Sequence, residues 1–314
     1  MIIVKRYSDE NIDLWNKFNA KSKNSMFMFD RNYMDYHRDR FKDHSLLFYS
    51  DEDLIALFPA CEKENSLVSH GGLTYGGFIT NEKMKQHTMN DCFDALLQYA
   101  ADQGIDGIIY KTIPHVYHLQ PAEEDRYSLF AHGAELITVD ASTVINLSAP
   151  LKMLKGRKAQ ISRARREGVE SKVLTELSDY EAFIDLENSV LEERHNTHAV
   201  HTAAELKLLH DRFPKSIKLY GAMKDGKLIA GTVVYVYSQA IHTQYMAANE
   251  EARIIGALDL AVATVIEEYK SSKLWADFGI STEHGRIYLN EGLIAQKEGF
   301  GGRTNIYEIW RMNI

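Results

Sequence analysis

Apolar positions along the chain change their spacing from one short stretch to the next, and each change marks an element. Ile2-Ile3-Val4 reads as a short strand. Asp9–Asn19 reads as a helix, with Ile12, Trp15 and Phe18 on one side and Ser8 or Asp9 as its cap. Leu46–Ser50 and Leu54–Ala60 are strands joined across the turn Asp51-Glu52-Asp53. Met89–Gln103 has helical spacing, with Phe93, Leu96, Leu97 and Ala100 on one face and Gly104 closing it. Gly107–Tyr110 and the Thr-, Val- and Ile-rich Glu135–Leu147 add further strands.

The second half repeats this order. Asp179–Arg194 is a helix striped by Phe183, Leu186 and Val190, and Ala204–Arg212 is another. Lys218–Ala222 and Leu228–Tyr237 are strands joined through Lys224-Asp225-Gly226-Lys227, where Asp-Gly is a strong hairpin signal. Ala240–Ala247 is the next strand, Ala257–Tyr269 a helix, and Leu274–Phe278 a strand. Asn290–Glu298 is a short helix and Asn305–Arg311 a closing strand. Such a pseudo-repeat predicts two domains, 1–148 and 149–314, meeting near Ser148-Ala149-Pro150.

Composition narrows the function classes. The 314 residues suit two domains, and with 45% hydrophobic residues each half can bury a core. A net charge of −8 argues against wrapping nucleic acid as the main task, while leaving room for a local basic groove. Cys61 and Cys92 sit in no metal or redox spacing, which fits a reducing compartment. The start, Met1–Arg6, turns charged too early for a signal peptide, and no apolar run approaches the ~20 residues that span a bilayer. A cytoplasmic protein without membrane insertion is expected.

Three stretches carry a family resemblance. Leu73-Thr74-Tyr75-Gly76-Gly77 resembles a first-domain Tyr-Gly-Gly hairpin, and Arg157–Val169 resembles a basic helix opening a second domain. Asp277-Phe278-Gly279, followed by Gly292-Leu293 through Lys297 to Phe300-Gly301, resembles a strand end and the helix after it. In that order they resemble the tandem-GNAT acyltransferases related to the Fem-type peptidyl and aminoacyl transferases. Gln296 stands where the Fem-type enzymes usually carry an aromatic, and the coiled-coil arm that some of them insert is absent. The resemblance implies an α+β fold, with a mixed sheet in three α/β/α layers, repeated as two GNAT-like acyl-CoA N-acyltransferase domains. It places chemistry in the second domain and acceptor recognition or support in the first. It also implies acetyl-CoA or another acyl-CoA as donor and an amine on a small molecule or a cell-envelope or polysaccharide precursor as acceptor.

Within the second half, Arg253 and Gly256 fit the family's pyrophosphate loop, although Leu258 stands where Gly or Ala is expected. Amides at a helix N-terminus hold phosphate, so Tyr245, Arg253, Gly256 and Ala257 are the candidate cofactor-binding residues. Lys297 lies near the place of a GNAT tyrosine that protonates the leaving thiolate, and a lysine there can stabilise an oxyanion. Asp277, at a strand's C-terminal end, is a candidate base for the acceptor amine. Tyr75, Arg163, Arg194 and His195 are candidate substrate contacts. His195, His198 and His201 repeat every third residue, but no carboxylate or Cys pattern completes a metal site, so no metal is expected. The seven basic residues from Lys152 to Arg166 keep a second reading open, an aminoacyl-tRNA-dependent transferase. The imperfect loop motivates a third, a non-catalytic ligand-binding or assembly protein.

Overall fold

The computed structural model describes residues 1–195, 197–283 and 287–314, and the side chains of Arg194 and His195 also fall outside the described residues. The chain forms two compact units, Met1–Asp140 with Ile306–Ile314, and Ala141–Asn305. The first division lies ahead of Ser148, and the last strand returns to the first unit because Ile309–Asn313 pair antiparallel with Gly107–Lys111.

In the first unit, Ile2–Arg6 pairs with Leu46–Ser50, which pairs with Asp53–Phe58, all antiparallel. The helix Gln86–Asp102 buries Met89, Cys92, Phe93, Leu96 and Ala100 in a core shared with Phe48, Phe58 and Tyr110. Each fully enclosed aromatic of this kind contributes about 2–3 kcal/mol of burial. The Leu73–Gly77 stretch is an irregular loop before the strand Ile79–Thr80, not a hairpin. Its glycine is set by crowding: a Cβ on Gly76 would sit 2.0 Å from the Ser69 carbonyl oxygen.

Elements of the second unit are numbered here in chain order. The strands are β1 (Glu135–Asn146, within this unit from Ala141), β2 (Glu170–Leu174), β3 (Ile217–Lys224), β4 (Lys227–Val236), β5 (Ala240–Ala248) and β6 (Trp275–Ile280). The helices are α1 (Lys155–Arg166), α2 (Leu177–His195), α3 (Ala203–Arg212), α4 (Glu250–Ile255), α5 (Ala257–Tyr269) and α6 (Glu291–Glu298). The sheet order is β2-β3-β4-β5-β6-β1, antiparallel except for the parallel pair β5–β6. The β3–β4 hairpin turns at Asp225-Gly226, as Asp-Gly predicts.

Alternation along β4 defines the layers. Ala230 and Val234 join the core built with α1 and α5, while Gly231 leaves room for Phe183 of α2. Helices therefore cover both faces of a mixed sheet, the α/β/α arrangement expected. The sequence reading gave no helix between β5 and α5. The structure puts α4 there, because Asn249 caps it by accepting the Ala252 amide at 2.8 Å.

Candidate active site

The sheet of the second unit opens where the parallel pair β5–β6 parts. β5 and β6 are in register from Ala240–Trp275 to His242–Asp277. Beyond that, β5 runs on to Ala248 against β4 alone, and β6 bends away with a register break before Ile280. β5 also carries a bulge: Val234 opposes Thr243 and Val233 opposes Tyr245, so Gln244 has no residue opposite it. A bulge of this kind takes a backbone amide out of the ladder and re-aims it. Sequence reading missed it, since nothing in the alternation of Ala240–Ala247 distinguishes Gln244.

At this opening lies a cavity of ≈ 360 Å³ whose lining includes Arg157, Gln160, Val190, Met246, Arg253 and Gln296. Its floor is the corner between α4 and α5. Gly256 occupies that corner with φ +79°, and a Cβ there would meet Gln160 Cβ at 2.6 Å and the Gln160 carbonyl oxygen at 2.7 Å. Glycine is thus required by a left-handed backbone and by the approach of α1. Ala257 begins α5 with no side chain capping its first turn. Arg253 is exposed and donates from Nη1 to the Ala248 carbonyl at 3.0 Å. Arg157 donates from Nη1 to both oxygens of Asp259, at 2.8 and 2.6 Å, a partly buried pairing that the sequence did not reveal. Burial raises the Asp259 carboxyl above its ordinary range and Arg157 opposes that rise. Gln160, which also lines the cavity, has a buried Oε1 without a hydrogen-bond partner among the described residues.

Lys297 is carried on α6, whose first turn Asn290 caps by accepting the Leu293 amide at 2.9 Å. It is buried, and its Nζ donates to the carbonyls of Gly279 at 2.9 Å and Ile280 at 2.6 Å. Burial pulls its pKa down to about 8, with the charge of Asp277 pulling the other way. Asp277 is enclosed: its Oδ1 accepts from Ser142 Oγ at 2.6 Å and from the Gly279 amide at 2.8 Å, and Oδ2 lies 3.6 Å from His242 Nδ1. These bonds fix the turn that carries β6 away from β5.

The remaining candidates scatter. Tyr245 is half-buried on β5, and its hydroxyl shares a hydrogen bond with His201 Nδ1. Arg163 is exposed on α1 and donates to the Ile254 carbonyl at 3.0 Å. Tyr75 is interior to the first unit, its hydroxyl bonded to those of Tyr117 and Tyr307 at 2.8 Å each. Arg194 and His195 have side chains outside the described residues. Among the described residues, no group of His, Cys, Asp and Glu could hold a metal ion, and no helix is long and apolar enough to cross a membrane.

One residue escaped the sequence reading altogether. α2 buries Tyr180, Phe183, Ile184 and Glu187, so an acid occupies a position whose helical spacing calls for an apolar side chain. That break in the stripe is the signal by which it could have been found.

Residues 155–284 match the family model described as an acetyltransferase (GNAT) domain. No curated protein is detectably similar in sequence. Among solved structures, the chain resembles FemX with a TM-score of 0.69 at 9% identity, over 98% of this chain and 96% of that one. The L-PGS of Bacillus licheniformis gives 0.66 at 13%, over 98% and 92%. A tandem GNAT protein from the clavulanic acid biosynthesis pathway, solved without acetyl-CoA, gives 0.58 at 10%, over 100% and 98%.

Proposed function

From a chain whose residues 155–284 form a GNAT domain on a tandem-GNAT fold, we propose an N-acyltransferase that moves an acyl group from acetyl-CoA or another acyl-CoA to an amine. The observation that carries this reading is the parting of β5 from β6 after His242–Asp277, beside the cavity floored by Gly256. A thioester arm entering between parted strands would find two kinds of partner. The unpaired backbone at Gln244 would face the acyl carbonyl, and Arg253 with the first amides of α5 would take the pyrophosphate. Gly256 and Ala257 would keep that corner free of side-chain bulk, and Tyr245 would flank the arm along β5.

The amine attacks the acyl carbon, the nitrogen–carbon bond forms, and the carbon–sulfur bond breaks to release the thiol. Lys297 would contribute positive charge to the developing oxyanion. The first unit, 1–148 in the domain scheme read from the sequence, would support the fold or recognise the acceptor. Arg163, Arg194 and His195 remain proposed acceptor contacts. The Fem-type resemblance of the sequence motifs supports an acceptor from the cell envelope, and the acyl transfer would take place in the cytoplasm.

The deciding experiment is calorimetric titration of the full chain with acetyl-CoA and free CoA, with Arg253→Ala as control. Saturable binding, weakened about tenfold in the control as expected for one lost phosphate contact, supports the donor class. No binding at millimolar ligand rejects it.

One observation favours a second reading. Lys155, Lys158, Arg163, Arg165 and Arg166 are all exposed on α1, a positive surface suited to an aminoacyl-tRNA donor. Charged-tRNA binding that falls steeply with salt, in a protein indifferent to acetyl-CoA, would establish it.

A further inference from the structure

The proposed reaction leaves the buried Glu187 of α2 unused. It is 7% exposed, and among the described residues its Oε2 has no hydrogen-bond partner. Burying a carboxylate with an oxygen that lacks a hydrogen bond costs folding free energy, so the position needs a reason other than packing.

Its placement supplies one. Phe183, one turn earlier on α2, covers Gly231 of β4, so α2 packs on the sheet face that carries Val233 and Tyr235. In the β4–β5 register these oppose Tyr245 and His242, and His242 in turn opposes Asp277 across the parting strands. Residues opposite one another share a face. Val190, one turn after Glu187, lines the cavity. Glu187 therefore belongs to the helix that covers the parting point, one turn inward from the cavity rim. Asp277, the carboxylate the sequence singled out, already has Oδ1 engaged by Ser142 and Gly279.

We propose that Glu187 is the catalytic base that takes the proton from the acceptor nitrogen as it attacks the donor carbonyl. This rests on the acyl-CoA reading above. As the nitrogen–carbon bond forms, the proton passes from nitrogen to the carboxylate. As the carbon–sulfur bond breaks, the thiolate takes that proton and Glu187 returns to its ionised form. Amine and thioester thus give amide and thiol, with no other reactant.

Burial holds the Glu187 carboxyl at a pKa of about 7, which places its ionisation where a base works near neutral pH. The elements packed against α2 carry Glu205, Lys207, His210, Asp211 and Arg212 on α3, Lys227 and Tyr235 on β4, and His242 and Tyr245 on β5, with His201 bonded to Tyr245.

The test measures thiol release from acetyl-CoA by the full chain with ethanolamine, glucosamine, L-lysine and spermidine as probe amines. Glu187→Gln should lower kcat by about 10²-fold or more, leave acetyl-CoA affinity unchanged, and abolish the acid limb near pH 7. Glu187→Asp, which keeps the carboxylate, should restore part of the rate and the limb. Wild-type kcat and an unchanged acid limb in Glu187→Gln would overturn the role. So would acetyl-CoA binding without thiol release for every probe amine. Failure of the donor reading is seen separately, as absent acetyl-CoA binding before any amine is added.

Discussion

Each unit contains a lysine whose ammonium is tied to two backbone carbonyls, and the two stand in different surroundings. Lys111 donates to His70 and Leu73 at 3.0 and 2.6 Å, and the loop it holds packs Tyr75 against Tyr117 and Tyr307 in the interior. Lys297 donates to Gly279 and Ile280 at nearly the same lengths, but at the end of a strand that has just left its neighbour. The helix that carries it also lends Leu293 and Gln296 to the cavity wall. The clamp is common to both; the open wall belongs to one. A lysine bound to carbonyls is thus no mark of chemistry by itself, and the strand opening beside Lys297 is what separates it from Lys111.

The glycine corners extend the comparison and yield the largest expected effect. Gly76 and Gly256 are each hemmed in by backbone; Gly256 in addition lines the cavity and has a positive φ. Gly256→Ala combines a left-handed conformation with a clash against Gln160, and should cost about 4 kcal/mol in urea denaturation. A loss below about 1 kcal/mol would mean that α1 yields easily, and the corner is then not set by packing. For the same reason a substitution at Gly256 cannot serve as a clean probe of phosphate binding, whereas Arg253→Ala, on the exposed rim, can.

Stability against pH tests the second difference, the uncompensated acid. The Glu187 carboxyl is raised from 4.5 to about 7 in the folded chain. Between those values the folded state binds more protons than the unfolded one, so stability falls as pH rises through the window. Glu187→Gln removes that loss. The variant should gain on the order of 3 kcal/mol over the wild type at pH 8, shrinking toward zero at pH 4. Thermal melts across that range check it; a gain independent of pH would mean that the carboxylate is solvated or paired in solution.

Much of the fold was legible because periodicity reports burial. The helix α5 was read at its observed limits, and Asp-Gly located the β3–β4 turn. The helix α4 was not legible, because Glu250–Ile255 is too short to show a period and its stability comes from the Asn249 cap. The candidate site was legible only in part. Lys297, Asp277, Arg253 and Gly256 lie on neighbouring elements that one motif order brings together, while Tyr75 follows its glycines into the first unit's interior. The bulge at Gln244 and the Arg157–Asp259 pair depend on register and on contacts distant in sequence, which a linear pattern does not encode. Glu187 was visible as a fault in an apolar stripe, and was passed over because Leu186 supplied an alternative stripe one residue away.

The smallest expected effect separates the two lysines directly. If Lys297 acts through its charge, Lys297→Met should lower thiol release by about 10²-fold, close to 2.7 kcal/mol in the barrier, with acetyl-CoA affinity kept. Lys111→Met should leave turnover within about twofold, since that side chain only holds a loop. Melting temperature alone cannot distinguish them, because both changes remove donors from two carbonyls. The pH profile can. Burial lowers the Lys297 ammonium to a pKa of about 8, so its positive form is full below that value and is lost above it. Wild-type turnover should therefore decline above pH 8, and Lys297→Met should lack that decline. If the basic limb persists in Lys297→Met, the charge does not act in the reaction, and Lys297 is a clamp like Lys111.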